Sequence, residues 1–273
     1  MVSSLIVIKM LRTTILHKIY SLILLACCLA CLSFTKNKEW KSLLNYPFPN
    51  SIVKALTNQF SDVESVDDLD LSCTDKTDFS EYNNHNRYYI VDASFDDVWN
   101  SYINTDLKTA WSGKGTKYGF AYNKQTKEIF AENNSSLFKP QMGLGFFIEL
   151  KISKLLKIPV ALEVSHINQK NKIIQFTYLM RNKSNGRQTI VFKKYGNNQT
   201  LILHQTYFKS NKQLRDKYFY SPYHTHFIDQ FHGIILKESA TFKTVSQSKM
   251  KKDYSASLIE LLIAVKKLEN SLI

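Results

Sequence analysis

The side chains that could carry out chemistry in this chain are mainly histidines, and they concentrate in its second half. His166 and His204 fall in β-rich runs, whereas His226, Asp229 and His232 recur every three residues in a helical pattern. An imidazole is a common general acid or base near neutral pH. If the protein is an enzyme, His204 is therefore its candidate catalytic base. The alternative is an ordinary hydrogen-bonded strand histidine.

The helical trio does not predict a metal centre. At 100° per residue its successive members are about 60° apart, which puts His226 and His232 about 120° apart around the helix axis. The His-x-x-x-His spacing that clasps a metal is also missing. We interpret the trio as solvated helix surface and place His85 and His224 in loops. No metal ligand and no cofactor are predicted.

Composition restricts the class of protein to one with a substantial folded core. The 273 residues are 44% hydrophobic and 13% aromatic, with 8 Gly and 5 Pro, which excludes collagen-like and wholly disordered chains. A formal net charge of +13 indicates an anionic partner, a membrane surface or simply a basic surface. Nucleic acid is not the partner we predict, because an exported chain seldom meets it. A basic interaction module without a ligand stays open as an alternative.

The N-terminal region has the pattern of an export signal. Residues 19–34 carry no charge, and Arg12, His17 and Lys18 precede them with no acidic residue upstream. A basic segment followed by a short apolar segment is typical of a signal peptide, whereas a membrane-spanning helix needs about 20 apolar residues. We therefore predict that residues 1–26 form an export signal.

The apolar run contains a sequence, LLAC at 24–27, that resembles the lipobox of bacterial lipoproteins. In that family the cysteine is diacylated and becomes the N-terminus, so the resemblance implies Cys27 as the lipid anchor, with Cys31 as the alternative site. A simply cleaved signal or an uncleaved signal anchor also remains open. The predicted location is the bacterial cell envelope, with the exported protein held at a membrane.

The segment that follows, 27–85, is predicted to be a partly ordered tether. Residues 36–60 have the composition of a spacer that partly docks on the rest of the chain. Between Asp62 and Glu81, eight acidic residues stand against the single Lys76. So polar a stretch buries little apolar area to offset the entropy lost on ordering, which predicts an exposed or mobile linker over much of 61–82.

The pattern of β-rich and helical segments over residues 86–245 predicts one α+β domain. A strand is expected at 88–93, and Ser94 can cap a helix that carries the pair Val98 and Trp99. Further strands are expected near 118–123, 128–132 and 145–155. Short polar loops separate the β-rich runs of 160–209, which indicates an antiparallel meander.

Two helical patterns follow the meander. In 223–238, Phe227, Ile228 and Phe231 begin an apolar stripe with helical spacing, which predicts a long amphipathic helix. Residues 246–273 are expected to form a polar linker and a second amphipathic helix that docks on the body, on another copy or on lipid.

This order of elements resembles the START-like, or SRPBCC, helix-grip superfamily, which includes polyketide cyclases and lipid-transfer domains. The sequences VDASFDDVWNSYIN at 91–104 and HTHFIDQFHGIILKE at 224–238 carry the resemblance. It implies a curved antiparallel sheet that grips the long C-terminal helix and encloses a mostly apolar cavity.

On this resemblance the expected function is binding of a lipid or another apolar small molecule in the internal cavity, at a membrane through the N-terminal anchor. A cyclase-like or hydrolase-like enzyme that uses the same cavity is the alternative. The predicted ligand-binding residues combine alternate positions of two strands with one helix position: Phe176, Tyr178, His204, Phe208 and Phe231.

Overall fold

The computed structural model describes residues 40–131, 138–237 and 242–245. The predicted signal, both candidate lipidation sites (Cys27 and Cys31) and the predicted helix at 255–272 lie outside these residues. Among the residues that are described, no helix is long and apolar enough to cross a membrane.

One antiparallel sheet of nine strands forms the body, in the order β3-β2-β4-β5-β6-β7-β8-β1-β9. The strands are β1 (Asn83–Val91), β2 (Thr116–Asn123), β3 (Glu128–Ala131), β4 (Leu144–Lys151), β5 (Lys157–Asn168), β6 (Ile173–Tyr178), β7 (Asn185–Tyr195), β8 (Gln199–Lys209) and β9 (Phe242–Val245). Register shifts occur within β2 and β5, and such irregularities bend a strand. The predicted meander over 160–209 is confirmed as β5 to β8, and the sheet is curved.

Helices cover the inner face of the curved sheet. They are α2 (Phe95–Asn104), the short α3 (Leu107–Ala110) and α4 (Ser221–Leu236), which follows a π-helical turn at Arg215–Tyr220. The Ser94 hydroxyl caps α2 by accepting from the Asp97 amide at 3.2 Å, as predicted. The α+β fold class, with a curved sheet gripping a long helix, is therefore confirmed.

The inner core combines the apolar faces of α2 and α4 with alternate residues of the sheet. Trp99 and Tyr102 of α2 make edge contacts with Phe192 of β7. Phe231 of α4 packs on Trp111, with ring centroids 4.6 Å apart, and meets Phe176 edge-on. This core fills the space beneath the middle and C-terminal end of α4.

The opposite face of the sheet is covered by the N-terminal segment, which was predicted to be a spacer. Its helix α1 (Asn50–Asn58) begins after Pro49 and buries Ile52, Ala55 and Leu56, one helical stripe. These side chains join Trp40 and Phe60 in a second core with Phe120, Tyr122 and Phe147 of the sheet. The prediction of a tether is corrected, because the sheet presents apolar side chains on both faces and both need covering.

The acidic stretch within 61–82 also contributes to this second core. Val63, Val66 and Leu69 are buried while the acidic residues between them remain on the surface. The Ser65 side chain accepts from the Asp67 amide, and a full capping box with Asp68 holds the turn Val66–Asp68. Most residues of 61–82 are exposed, as expected, but the three apolar residues at a constant spacing of three anchor the stretch to the sheet, which the net composition did not indicate.

Replacing Ile52 with alanine should lower the free energy of unfolding by about 2–5 kcal/mol, because Ile52 is fully buried between α1 and the sheet. The matched control is Lys54→Ala, an exposed position of the same helix, which should change that free energy by less than about 0.5 kcal/mol. Chemical denaturation of the whole chain measures both. A neutral Ile52→Ala would mean that the N-terminal segment does not belong to the folded body.

Candidate functional site

A cavity of about 390 Å³ lies between the sheet and the N-terminal end of α4. This volume falls within the range of small-molecule sites, about 300–1,000 Å³. Its apolar wall is formed by Trp111, Ile148, Leu150, Ile152, Leu156, Ile158, Pro159, Val160, Leu162, Phe219, Phe227 and Ile228. Its polar wall is formed by Tyr178, Asn182, Lys183, Ser184, Gln188, Arg215, Tyr220, Tyr223 and His224.

The π-helical turn before α4 forms one side of the cavity, and its first two residues are hydrogen-bonded to the loops next to β7 and β8. Asp216 accepts from the backbone amide of Ser210 at 2.8 Å and from its hydroxyl at 2.7 Å. Arg215 donates to the Lys183 carbonyl at 2.6 Å and to the Ser184 hydroxyl at 2.8 Å. These bonds fix the position of Tyr220, whose ring also stacks on Phe208 of β8 with centroids 3.5 Å apart.

A continuous chain of hydrogen-bonded side chains runs from the inner core to the cavity. In order, its members are Tyr102, His232, His204, Gln188, Tyr178 and Tyr220. At the inner end, the Tyr102 hydroxyl meets His232 Nδ1 at 2.5 Å, and His232 Nε2 meets His204 Nδ1 at 2.9 Å. The chain therefore links α2, α4 and β8 through the middle of the core.

The outer half of the chain reaches the cavity wall. His204 Nε2 meets the Gln188 amide oxygen at 2.9 Å, and the Gln188 amide nitrogen donates to the Tyr178 hydroxyl at 2.8 Å. The Tyr178 and Tyr220 hydroxyls are 2.7 Å apart. Gln188, Tyr178 and Tyr220 all line the cavity, so a ligand there would meet the end of the chain.

Burial keeps every titratable member of this chain neutral. It lowers the pKa of His232 to about 3 and the pKa of His204 well below its ordinary value, where the neighbouring imidazole adds to the effect. Burial also raises the pKa values of the Tyr178 and Tyr220 hydroxyls. Neutral imidazoles each carry one donor and one acceptor, which is what a chain of this kind requires.

His224 lies beside the chain and has no hydrogen-bond partner for either ring nitrogen. Its ring lies nearly parallel to that of Tyr220, with centroids 5.1 Å apart, and meets His204 and His85 edge-on. The side chain is about nine-tenths buried and lines the cavity. Burial lowers its pKa well below the usual value. An unpartnered buried imidazole is uncommon and needs an explanation.

The interpretation of the helical trio as solvated surface is wrong for two of its three members. His232 is fully buried in the chain described above, and Asp229 accepts from Arg87 at 2.8 Å and from the Tyr89 hydroxyl at 2.6 Å. Only His226 is exposed. His232 belongs to the single buried stripe of α4, four residues after Ile228, whereas Asp229 lies at the edge of that stripe.

The five predicted ligand-binding residues occupy different environments. Tyr178 lines the cavity. Phe176 and Phe231 meet edge-on in the inner core, and Phe208 lies behind Tyr220. His204 is fully buried, and both of its ring nitrogens are hydrogen-bonded to other members of the hydrogen-bonded chain described above.

Three residues of the site were missed by sequence reasoning: Gln188, Tyr220 and His224. His224 was assigned to a loop, and Tyr220 precedes the helix expected at 223–238; in the structure α4 starts at Ser221 and continues a π-helical turn that begins at Arg215. The spacing of four between Tyr220, His224 and Ile228 was a usable signal for this extension. Gln188 carries no signal in the sequence, because its role comes from pairing with two side chains of other strands.

No group of His, Cys, Asp or Glu among the described residues could hold a metal ion. Two other buried reactive groups lie away from the cavity. Burial raises the pKa of the Cys73 thiol to about 11, so this thiol is a poor nucleophile. Glu163, whose pKa burial also raises, accepts from the Tyr122 hydroxyl at 3.0 Å on the opposite face of the sheet.

Comparison with known proteins finds similarity in structure alone. No protein-family model matches the sequence, and no curated protein matches it. Norcoclaurine synthase from Thalictrum flavum is similar at 11% identity and a TM-score of 0.41, over 57% of this chain and 95% of that one. Major latex-like protein 151 from Panax ginseng is similar at 8% identity and a TM-score of 0.41, over 56% and 95%. Ara h 8.0201 is similar at 7% identity and a TM-score of 0.40, over 57% and 99%.

The strand order and the helix themselves define the class of this protein. A nine-stranded antiparallel sheet curves around α4 and leaves a cavity at the start of that helix. The chain therefore has a helix-grip fold with a cavity at the start of α4, extended by an N-terminal segment that covers the outer face of the sheet.

The buried histidines should make the fold acid-sensitive. His232 has a pKa of about 3 in the folded protein and about 6.5 when unfolded, so between these values the unfolded chain binds more protons. Its contribution to stability is full above pH 6.5 and falls by about 1.4 kcal/mol per pH unit below it. Denaturation at several pH values should show that His232→Gln has a shallower slope between pH 6 and pH 4. His226→Gln, at the exposed position, should keep the wild-type slope; equal slopes for all three proteins would contradict a buried neutral His232.

Proposed function

We propose that this protein binds an apolar small molecule, such as a lipid, in the cavity at the start of α4. The observation that carries the proposal is the composition of the cavity wall, where twelve aliphatic or aromatic side chains surround one polar corner. Burial of a ligand against such a wall contributes about 25 cal/mol per Å² of apolar surface removed from water. A few polar groups then orient the ligand, as in most small-molecule sites.

The side chains at the cavity favour binding over catalysis. His204, the catalytic candidate of the sequence, uses both ring nitrogens in the buried chain, and neither can reach a substrate without breaking a hydrogen bond. The hydroxyls of Tyr178 and Tyr220 are poor bases and poor acids, because burial raises their pKa values. The Asp216 carboxylate, next to the wall residue Arg215, is held by the backbone and hydroxyl donors of Ser210.

Filling the cavity should abolish ligand binding. Val160→Trp places an indole ring on the apolar wall, and we expect the affinity for an environment-sensitive apolar dye such as 1-anilinonaphthalene-8-sulfonate to fall by more than about tenfold. Native mass spectrometry of the wild type should also detect a retained small molecule that Val160→Trp lacks.

The matched control is Leu155→Trp, which adds the same ring at a position 98% exposed and outside the cavity wall. This control should bind the dye as the wild type does. If the wild type binds no dye and retains no small molecule, or if Val160→Trp binds as well as Leu155→Trp, the cavity is not a binding site.

We also propose that the protein acts in the bacterial cell envelope, held at a membrane through Cys27 or Cys31. The support is the apolar, uncharged run of 19–34 and the lipobox-like sequence at 24–27. One acyl chain gives only marginal membrane binding, so a diacylated cysteine is a sufficient anchor where a single chain is not.

Membrane fractionation of the full chain, expressed in a bacterium, tests the anchor. Cys27→Ser should move the protein from the membrane to the soluble fraction, and Cys31→Ser should leave it in the membrane. The reverse pattern would assign the anchor to Cys31. If the double variant stays in the membrane, acylation of either cysteine is not what holds the protein there.

A further inference from the structure

The hydrogen-bonded chain from Tyr102 to Tyr220 has a direction, because each member supplies one donor to the next. In the structure the Gln188 amide oxygen faces His204, so His204 Nε2–H donates to it. A neutral imidazole has a single N–H, which leaves His204 Nδ1 as an acceptor for His232 Nε2–H. His232 Nδ1 then accepts from the Tyr102 hydroxyl.

The same direction continues towards the cavity. The Gln188 amide nitrogen donates to the Tyr178 oxygen, so the hydroxyl hydrogen of Tyr178 is available for the Tyr220 oxygen. Either hydroxyl can donate across the 2.7 Å contact between Tyr178 and Tyr220, and in both arrangements one of the two hydroxyl hydrogens has no acceptor among the described residues. We place this hydrogen on Tyr220, because the Tyr178 hydroxyl then has one donor partner and one acceptor partner. The chain thus ends on a hydroxyl donor at the cavity wall.

The opposite direction is energetically worse. It would require the Gln188 amide to turn over, after which every donor points inwards and the last one is the Tyr102 hydroxyl. Tyr102 is 2% exposed and packs against the rings of Phe192 and Phe231, and among the described residues His232 is the hydrogen-bond partner of its hydroxyl, so the reversed chain would leave the Tyr102 hydrogen without an acceptor. An unsatisfied buried donor costs about 1–3 kcal/mol, so the chain is polarised outwards, to the cavity.

We infer that the ligand of this cavity carries an oxygen acceptor, such as a carbonyl group, that accepts a hydrogen bond from the Tyr220 hydroxyl. This inference rests on the proposed function and specifies the ligand class: an apolar body with one acceptor head. The head lies at the end of the cavity where the π-helical turn meets α4, and the apolar body lies against β4 and β5.

His224 and Lys183 support an acceptor at this place. The His224 ring stacks beside Tyr220 and is unpartnered at both nitrogens, so its single N–H is a second donor at this corner of the wall. Lys183 adds positive charge there, whereas the charge of Arg215 is offset by the Asp216 carboxylate 3.5 Å away. Both features favour a group with negative charge density and disfavour an ammonium group.

The test uses two probes of almost equal shape, 2-acetylnaphthalene and 2-ethylnaphthalene, of which only the first has an oxygen acceptor. We measure the dissociation constants of both by fluorescence titration on the wild type and on Tyr220→Phe, which removes the hydroxyl and keeps the ring. The affinity ratio of the acetyl to the ethyl probe should fall by about 3- to 10-fold in the variant. A third probe, the ammonium 1-(2-naphthyl)ethylamine, should bind the wild type more weakly than either.

The control variant is Tyr218→Phe, which removes an exposed hydroxyl on the same turn outside the cavity wall and should keep the wild-type ratio. An unchanged ratio in Tyr220→Phe, or an equal fall in Tyr218→Phe, would overturn the inference. If neither naphthalene probe binds the wild type, the proposed function fails instead.

A measurement on the wild type alone keeps the test decisive if Tyr220→Phe does not fold. The infrared carbonyl stretch of bound 2-acetylnaphthalene should shift to lower frequency relative to the same compound in an alkane solvent, as a hydrogen-bonded carbonyl does. A bound probe whose stretch matches the alkane value has no donor on its carbonyl. That result would overturn the inference while leaving apolar binding in place.

Discussion

The contact between α4 and the inner face of the sheet is the interaction on which the rest of this structure depends. Two groups of polar side chains hold it: the chain through His232 and His204, and the pairing of Asp229 with Arg87 and Tyr89. Burying two imidazoles costs free energy unless their nitrogens are bonded, and here all four nitrogens have partners. Such a network fixes the rotation of the helix, since any other rotation leaves these groups unsatisfied.

The fixed position of α4 explains where the cavity lies. Under the middle of the helix, Phe231, Trp111 and Phe176 fill the space by ring contacts. Towards its start, the helix, the π-helical turn and strands β4 and β5 enclose the cavity instead. The polar chain leaves the core at this place, so the apolar hollow acquires one polar corner at Tyr178 and Tyr220.

Elements whose formation depends on local patterns were predicted well, whereas the segment that covers the outer face of the sheet was not. The strands of the meander and the cap at Ser94 depend on local patterns, and both are present as expected. The segment at 40–71 has its own local signals, the stripe of α1 and the spacing of Val63, Val66 and Leu69, but its docking depends on apolar residues far along the chain. The net acidity of the stretch masked its docking, because acidic residues stand between the buried apolar ones.

By itself, the sequence determined the strands of the meander, the capped helix α2 and the long amphipathic helix after the meander, because hydrophobic periodicity and capping are local properties of the chain. Only the tertiary structure decided which histidines are buried and which tyrosine hydroxyl lies at the cavity wall. It also decided that Gln188 connects the histidines to the tyrosines. These residues are up to 130 positions apart, as Tyr102 and His232 are. Strand order and helix rotation determine which side chains become their neighbours. Neither the strand order nor the helix rotation can be read from residue spacing along the sequence.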